Sequence, residues 1–281
     1  MHHRPHRIAC LSAETVDVLY RLGAGNRVVG VSSFTTVPPE ARKKPFVSAF
    51  TTVRYDVIES LKPDLILGFS DLQAEAIGEL GQRGYQVLLT NQRTLSEIFE
   101  TIRLLGRIVE KNQEAERLVA DLEHRLGGAK AAMRNLTRRP KVYFEEWDEP
   151  LISGIAWVSE LIEAAGGEDI FPEFRRYARA PERVITPETV IERAPEIVIA
   201  SWCGKKADLD AIRTRPGWEA IPAIRAGHVY ELDSTYCLQP GPILITEGLP
   251  RMCGIMEAWR GTTAGAAGEC AHALAYRPAA S

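Results

Sequence analysis

The sequence predicts an α/β fold of two lobes, each with a central, mainly parallel sheet, joined by one long helix. Three observations carry this expectation. Short apolar segments alternate with short helical stripes on both sides of a much longer stripe, and repeated β-α-β of that kind builds a parallel sheet covered by helices. The chain has 281 residues, enough for two lobes of about 100–150 residues that bury real cores. The segment Asp56 to Leu67 also echoes Thr189 to Ile199. Each reads as a helical turn, a proline stop, an acid and a buried strand.

In chain order, Ile8 to Leu11 reads as a strand, Thr15 to Leu22 as a helix stopped at Gly23, and Val28 to Val31 as the next strand. Asp56 to Leu61 is a short helix ended by Pro63. Asp64 to Gly68 is apolar on both faces, as buried parallel strands are. Ala74 to Gln82 reads as a helix and Gln86 to Leu89 as a strand. Thr94-Leu95-Ser96-Glu97 has the form of a capping box that opens a helix. Asn112 is the expected cap of the long helix, which carries Ala115, Leu118, Val119, Leu122, Leu126 and Met133 and runs to Leu136. Beyond Arg138-Arg139-Pro140, strands are expected at Lys141 to Glu145, Glu196 to Ala200 and His228 to Leu232. Helices are expected at Trp157 to Ala165, Pro187 to Arg193 and Ile243 to Trp259. The expected division is residues 7–93 for the first lobe, 94–138 for a helical connector, 139–260 for the second lobe and 261–281 for a flexible tail.

Composition excludes several classes. With 45% hydrophobic and 25% charged residues the chain is ordinary globular protein. Its net charge of −3 argues against a nucleic-acid binder. No apolar run reaches the ~20 residues of a membrane helix. The start, Met1-His2-His3-Arg4-Pro5-His6-Arg7, is followed by apolar residues that Glu14 and Asp17 interrupt, so it does not read as a secretory leader. The expected location is cytoplasmic as the sequence stands, or periplasmic if a leader has been removed. The five cysteines, Cys10, Cys203, Cys237, Cys253 and Cys270, are odd in number and widely spaced, which fits free thiols rather than a disulfide framework. Neither zinc-ligand spacing, nor a GxGxxG, nor a phosphate-loop lysine motif occurs.

Ligands of open α/β sheets bind beyond the carboxyl ends of the strands. There the sequence offers Ser32-Ser33-Phe34, Phe69-Ser70-Asp71, Glu145-Glu146-Trp147, Ser201-Trp202-Cys203-Gly204 and Asp233-Ser234-Thr235-Tyr236. Each sets an aromatic near a small or polar residue. Five such loops around one cleft suit a large, flat, semi-apolar ligand held by stacking and a few hydrogen bonds. A catalytic alternative would use Cys203 as a thiolate in its loop, or the Glu145/Glu146 acids in proton transfer or hard-metal binding. Arg175, Arg176, Arg179 and Arg183 could instead grip an anionic ligand.

These residues carry a resemblance. Ile8 to Gly30, with Leu22-Gly23 and Arg27-Val28-Val29-Gly30-Val31, is similar to the opening of the helical-backbone (class III) substrate-binding proteins of ABC importers. Val31-Ser32-Ser33-Phe34 with Pro38-Pro39-Glu40-Ala41, Lys62-Pro63-Asp64-Leu65-Ile66, Ala164-Ala165-Gly166-Gly167, Arg215-Pro216-Gly217-Trp218, Ile221 to Gly227 and Gln239-Pro240-Gly241-Pro242 resemble the cobalamin-binding branch. The resemblance covers Ile8 to Trp259 and implies a ligand cleft between the lobes, little closure on binding, and a cobalamin-type corrinoid as ligand with no cofactor required. It implies Phe34, Phe50 and Phe69 as first-lobe aromatic walls. It points to Trp157, Trp202 and Tyr236 in the second lobe, with Glu146, Trp147 and Cys203 beside them. It implies Glu75 as a docking residue for an ABC permease, on a monomer that neither enters the membrane nor binds nucleic acid. Ferric siderophore and haem binders share the frame. A siderophore would need the four arginines turned into the cleft. Haem would need an axial ligand such as Tyr236 or Tyr177. The stretches Tyr143 to Asp148 and Ser201 to Lys206 depart from the transporter pattern. That departure keeps a cytoplasmic carrier, or an enzyme on the same fold, as the alternative.

Overall fold

The computed structural model describes residues 4–133 and 138–263. Two sheets organise it. The first lobe carries β1 (Ile8–Cys10), β2 (Val28–Ser32), β3 (Phe46–Ala49), β4 (Thr52–Val53), β5 (Leu65–Phe69) and β6 (Val87–Thr90), ordered β4-β3-β2-β1-β5-β6. All its pairings are parallel except β3 with β4. The second carries β7 (Lys141–Asp148), β8 (Leu151–Ser153), β9 (Glu168–Asp169), β10 (Ile197–Ala200) and β11 (Val229–Glu231), ordered β11-β10-β7-β8 with β9 also on β7. Only β7 with β8 is antiparallel. The helices are α1 (Ala13–Arg21), α2 (Tyr55–Leu61), α3 (Ala74–Gln82), α4 (Leu95–Ile108), α5 (Asn112–Ala132), α6 (Ala156–Ala164), α7 (Pro187–Arg193), α8 (Leu209–Arg213), α9 (Pro222–Ala226), α10 (Ser234–Cys237) and α11 (Leu249–Thr263).

The echo between the lobes is a shared device. Helices α2 and α7 each end in a left-handed residue, Lys62 at φ 46° and Ala194 at φ 49°. A proline and an acid follow each. Asp64 accepts the backbone N–H groups of His6 and Arg7 at 2.8 and 2.9 Å. Glu196 accepts that of Lys141 at 3.2 Å. Each acid therefore fastens the start of its lobe's central strand, β1 or β7.

Helix α4 opens on the expected capping box, with Thr94 and Glu97 bonded reciprocally. Helix α5 is about 32 Å long at 1.5 Å per residue. Its Ala115, Val119, Leu122 and Leu126 lie in one core cluster that also takes Leu19 and Val28 of the first lobe and Leu161 and Met252 of the second. Burial on both lobes fixes the helix far better than intrinsic propensity would.

Several expectations need correction. Asn112 is the first helical residue, not the cap; Lys111 holds the cap position. The expected end at Leu136 lies outside the described residues, as does the tail beyond Thr263. Strand β7 runs on to Asp148, so the acidic stretch is a strand paired with β8 rather than a loop. The β3–β4 hairpin, of four and two residues, is too short to show a period. The last helix begins with a π-helical turn, Leu244–Gly248.

Candidate functional site

The carboxyl ends of the first sheet present the aromatic residues. Phe34 follows β2, Phe50 follows β3 and Phe69 ends β5. Phe34 and Phe50 are 39% and 42% exposed and meet edge to face with ring centroids 6.4 Å apart. Buried Gln73 ties the strand ends together. Its Nε2 donates to the carbonyls of Leu11 at 3.1 Å and Phe50 at 2.6 Å, and its Oε1 accepts the Phe69 N–H at 3.0 Å. Phe50 sits at φ 53°, a conformation such a bonded turn must hold against strain.

Second-lobe loops stand opposite. Gly204, at φ 78°, lies so close that a Cβ there would be 3.4 Å from the Phe34 ring. Gln239 Nε2 donates to the Phe34 carbonyl at 3.4 Å. Deeper in, Phe69 meets Trp157 of α6 at 6.5 Å, and the Arg93 guanidinium lies 5.4 Å over the Phe69 ring. Arg93 donates to Asp71 at 2.7 Å. Across from it, Arg183, 1% exposed, holds Glu146 with two bonds of 2.7 and 2.8 Å. Burial lowers the affinity of Arg93 for its proton and Asp71 opposes this. Arg183 adds to the lowering, while Glu146 opposes it. The Asp71–Arg93 pair of one lobe thus feels the Glu146–Arg183 pair of the other.

Strand β7 sends its two acids to opposite sides, as a pleated strand must. Glu145 has no exposed surface. It takes both Nη atoms of Arg215, at 2.5 and 2.8 Å, and the Trp202 indole N–H at 3.2 Å. Glu146 goes to Arg183. Both acids are spent on arginines, an arrangement that holds structure rather than moves protons. Cys203 is exposed, but desolvation by the surrounding loop, then the Glu146 carboxylate, push its thiol up rather than down. The enzyme alternative needed the reverse. Among the described residues, no group of three His, Cys, Asp or Glu side chains could hold a metal ion.

The expected second-lobe walls are placed differently. Trp157 is 3% exposed, with its indole N–H on the Cys237 carbonyl at 2.9 Å. It belongs to the core cluster that α5 shares with both lobes. Trp202 is 5% exposed and packs with Tyr143, Trp218 and Ile212 in the second-lobe core. The Tyr236 ring lies under the Arg251 guanidinium, 4.0 Å away. Trp147 is half-buried, its indole N–H on the Glu149 carbonyl at 3.1 Å. Of the four arginines, Arg175 pairs with Glu163 and donates to Ser159. Arg176 bonds the Tyr177 hydroxyl at 2.8 Å, and Arg179 pairs with Glu182 at 3.1 Å. They do not converge. Glu75 stands exposed in the first turn of α3.

The sequence reading missed Gln73, the Arg93–Asp71 pair, and the exposed apolar residues Leu72 and Val184, at 56% and 42%. No local pattern marks a glutamine that bonds to residues 23 and 62 positions away.

The model of the family described as "Periplasmic binding protein" matches residues 8–236. A vitamin B12-binding protein of Vibrio parahaemolyticus is 26% identical over 239 residues, 84% of each chain. An uncharacterised ABC transporter substrate-binding lipoprotein, YvrC of Bacillus subtilis, is 26% identical over 257 residues, 88% of this chain and 79% of its own. Among solved structures, the periplasmic haem-binding protein RhuT of Roseiflexus sp. RS-1 is 25% identical with a TM-score of 0.77, covering 90% of this chain and 99% of its own.

Proposed function

The chain belongs to the periplasmic binding protein family, and from that premise we propose that it is the substrate-binding component of an ABC importer whose ligand is a cobalamin-type corrinoid. The ligand is cargo held between the lobes without covalent chemistry, not a cofactor. The observation that carries this reading is the exposed Phe34–Phe50 pair at the strand ends, facing Gly204 of the other lobe. An exposed pair set edge to face offers one ring face and one ring edge to a broad, semi-apolar ligand. The B12-binding relative supports the corrinoid.

Haem would need an axial ligand from Tyr177, whose hydroxyl accepts a hydrogen bond from Arg176, or from Tyr236, whose ring lies under Arg251. A catecholate siderophore needs converging arginines, and Arg175, Arg179 and Arg183 are each paired with a nearby acid. Delivery to a permease would use Glu75 on its exposed helix turn. Titrating cyanocobalamin, haem and a ferric catecholate against tryptophan fluorescence tests the reading. Saturable quenching by cyanocobalamin supports it, and saturation by haem or the siderophore alone removes it.

A further inference from the structure

The two stretches that depart from the transporter pattern interlock. The Lys205 ammonium sits 4.2 Å from the Trp147 ring centroid and 4.6 Å from that of Trp202. It bonds both Asp148 oxygens at 2.7 and 2.8 Å. Two indole faces and a carboxylate thus form a cage that the protein fills with its own cation, an arrangement held by the ring quadrupoles and one ion pair. The rings are fixed independently of the lysine. Trp202 Nε1 donates to Glu145, which Arg215 clamps, and Trp147 Nε1 donates to the Glu149 carbonyl. The cover is loosely held by comparison. Residues 203–206 are exposed, Gly204 turns in the left-handed region, and the Lys205 side chain is 42% exposed. The same loop brings Gly204 against Phe34 of the first lobe.

We propose that Lys205 is a displaceable cover over a two-tryptophan platform, and that the ligand's flat face stacks on Trp147 and Trp202 when the ammonium swings away. The proposal rests on the cleft reading given above. It accounts for a tryptophan that is pre-oriented at a strand end yet 5% exposed: one face belongs to the core and the other lies under the lysine. Lys205 then competes with the ligand and sets its affinity. Exchanging one cation for a larger apolar face favours flat, weakly charged ligands over small polar ones.

The test uses the full chain with Lys205→Ala and Lys205→Arg. Four of the five tryptophans, Trp157, Trp202, Trp218 and Trp259, are buried. Added acrylamide quenching in the ligand-free Lys205→Ala protein therefore reports Trp147 and Trp202. The expected results are a larger quenching constant and a cyanocobalamin affinity tighter by roughly three- to tenfold, the worth of the weak cation–π and exposed ion-pair contacts removed. Lys205→Arg, which keeps the stacked cation, should match wild type in both. Unchanged quenching overturns the cover. An unchanged or weaker affinity in Lys205→Ala, while wild type binds, overturns the competition. Wild type that binds neither cyanocobalamin nor haem removes the cleft reading and the stacking step with it, a signature distinct from both.

Discussion

Arg215 grips the Glu145 carboxylate with both terminal nitrogens, at 2.5 and 2.8 Å, where Glu145 shows no surface at all. The pair joins the middle of β7 to the segment after α8, and Trp202 shares the same carboxylate. Taking two charges out of water costs several kcal/mol, so the pair holds only while both members are present.

Arg215→Met alone should therefore destabilise the fold by about 3–5 kcal/mol, because it leaves a buried carboxylate unpaired. The double change Arg215→Met with Glu145→Gln should recover most of that loss. Denaturant melts of the two variants check this. Equal losses in both would mean that packing, not charge, carries the contact.

Glu14 supplies a pH dependence. It is 5% exposed in α1, its Oε1 lacks a hydrogen-bond partner, and burial raises it from 4.5 to about 7. The folded chain thus binds this proton more tightly than the unfolded chain does. Its contribution favours folding at low pH and is lost as pH rises towards 7, where the ionised buried group becomes a penalty of up to about 3 kcal/mol. Glu14→Gln should raise the melting temperature near pH 8 and change little near pH 5. A gain that does not vary with pH would contradict the burial account.

Phe34→Ala and Phe50→Ala should separate binding from folding. Both rings are exposed, so each change should leave the melting temperature nearly unchanged while costing tenfold or more in ligand affinity, about 1.4 kcal/mol. Trp202→Ala should differ by costing stability as well as affinity. As a core residue it should cost about 3–5 kcal/mol of stability. Calorimetry and ligand titration on the three variants decide, and a stable Trp202→Ala would remove that residue from the core.

Cys203 should alkylate slowly. Its thiol is pushed above the ordinary cysteine value by desolvation and then by Glu146, so at neutral pH less of it is thiolate than in a free cysteine. The rate should climb only as pH rises above the ordinary cysteine range. Labelling at pH 7 faster than free cysteine would revive the thiolate enzyme.

The two-lobed frame was legible because its signals are local. The Thr94–Glu97 capping box, the proline stops at Pro63 and Pro195 and the stripe from Ala115 to Leu126 each act over about three turns of helix or fewer. The aromatic loops were legible as a set, since strands deliver their loops to one end of a sheet. Which face each ring turns to the cleft was not. Trp157 and Trp202 are buried by partners 80 and 57 residues away, Cys237 and Glu145. The four arginines looked like one cluster in sequence, but each is claimed by a different acid or hydroxyl. Side-chain pairing at that range leaves no periodic trace.

The central claim is a corrinoid between the lobes, and competition dialysis tests it most directly. The purified chain is placed against equal concentrations of cyanocobalamin, haem and a ferric catecholate siderophore, and the retained ligand is read from its absorption spectrum. The account predicts that cyanocobalamin is retained at one per chain, with the amount falling in a Phe34→Ala, Phe50→Ala double variant. Retention of haem or siderophore in its place, or corrinoid retention that the double variant leaves untouched, would contradict it.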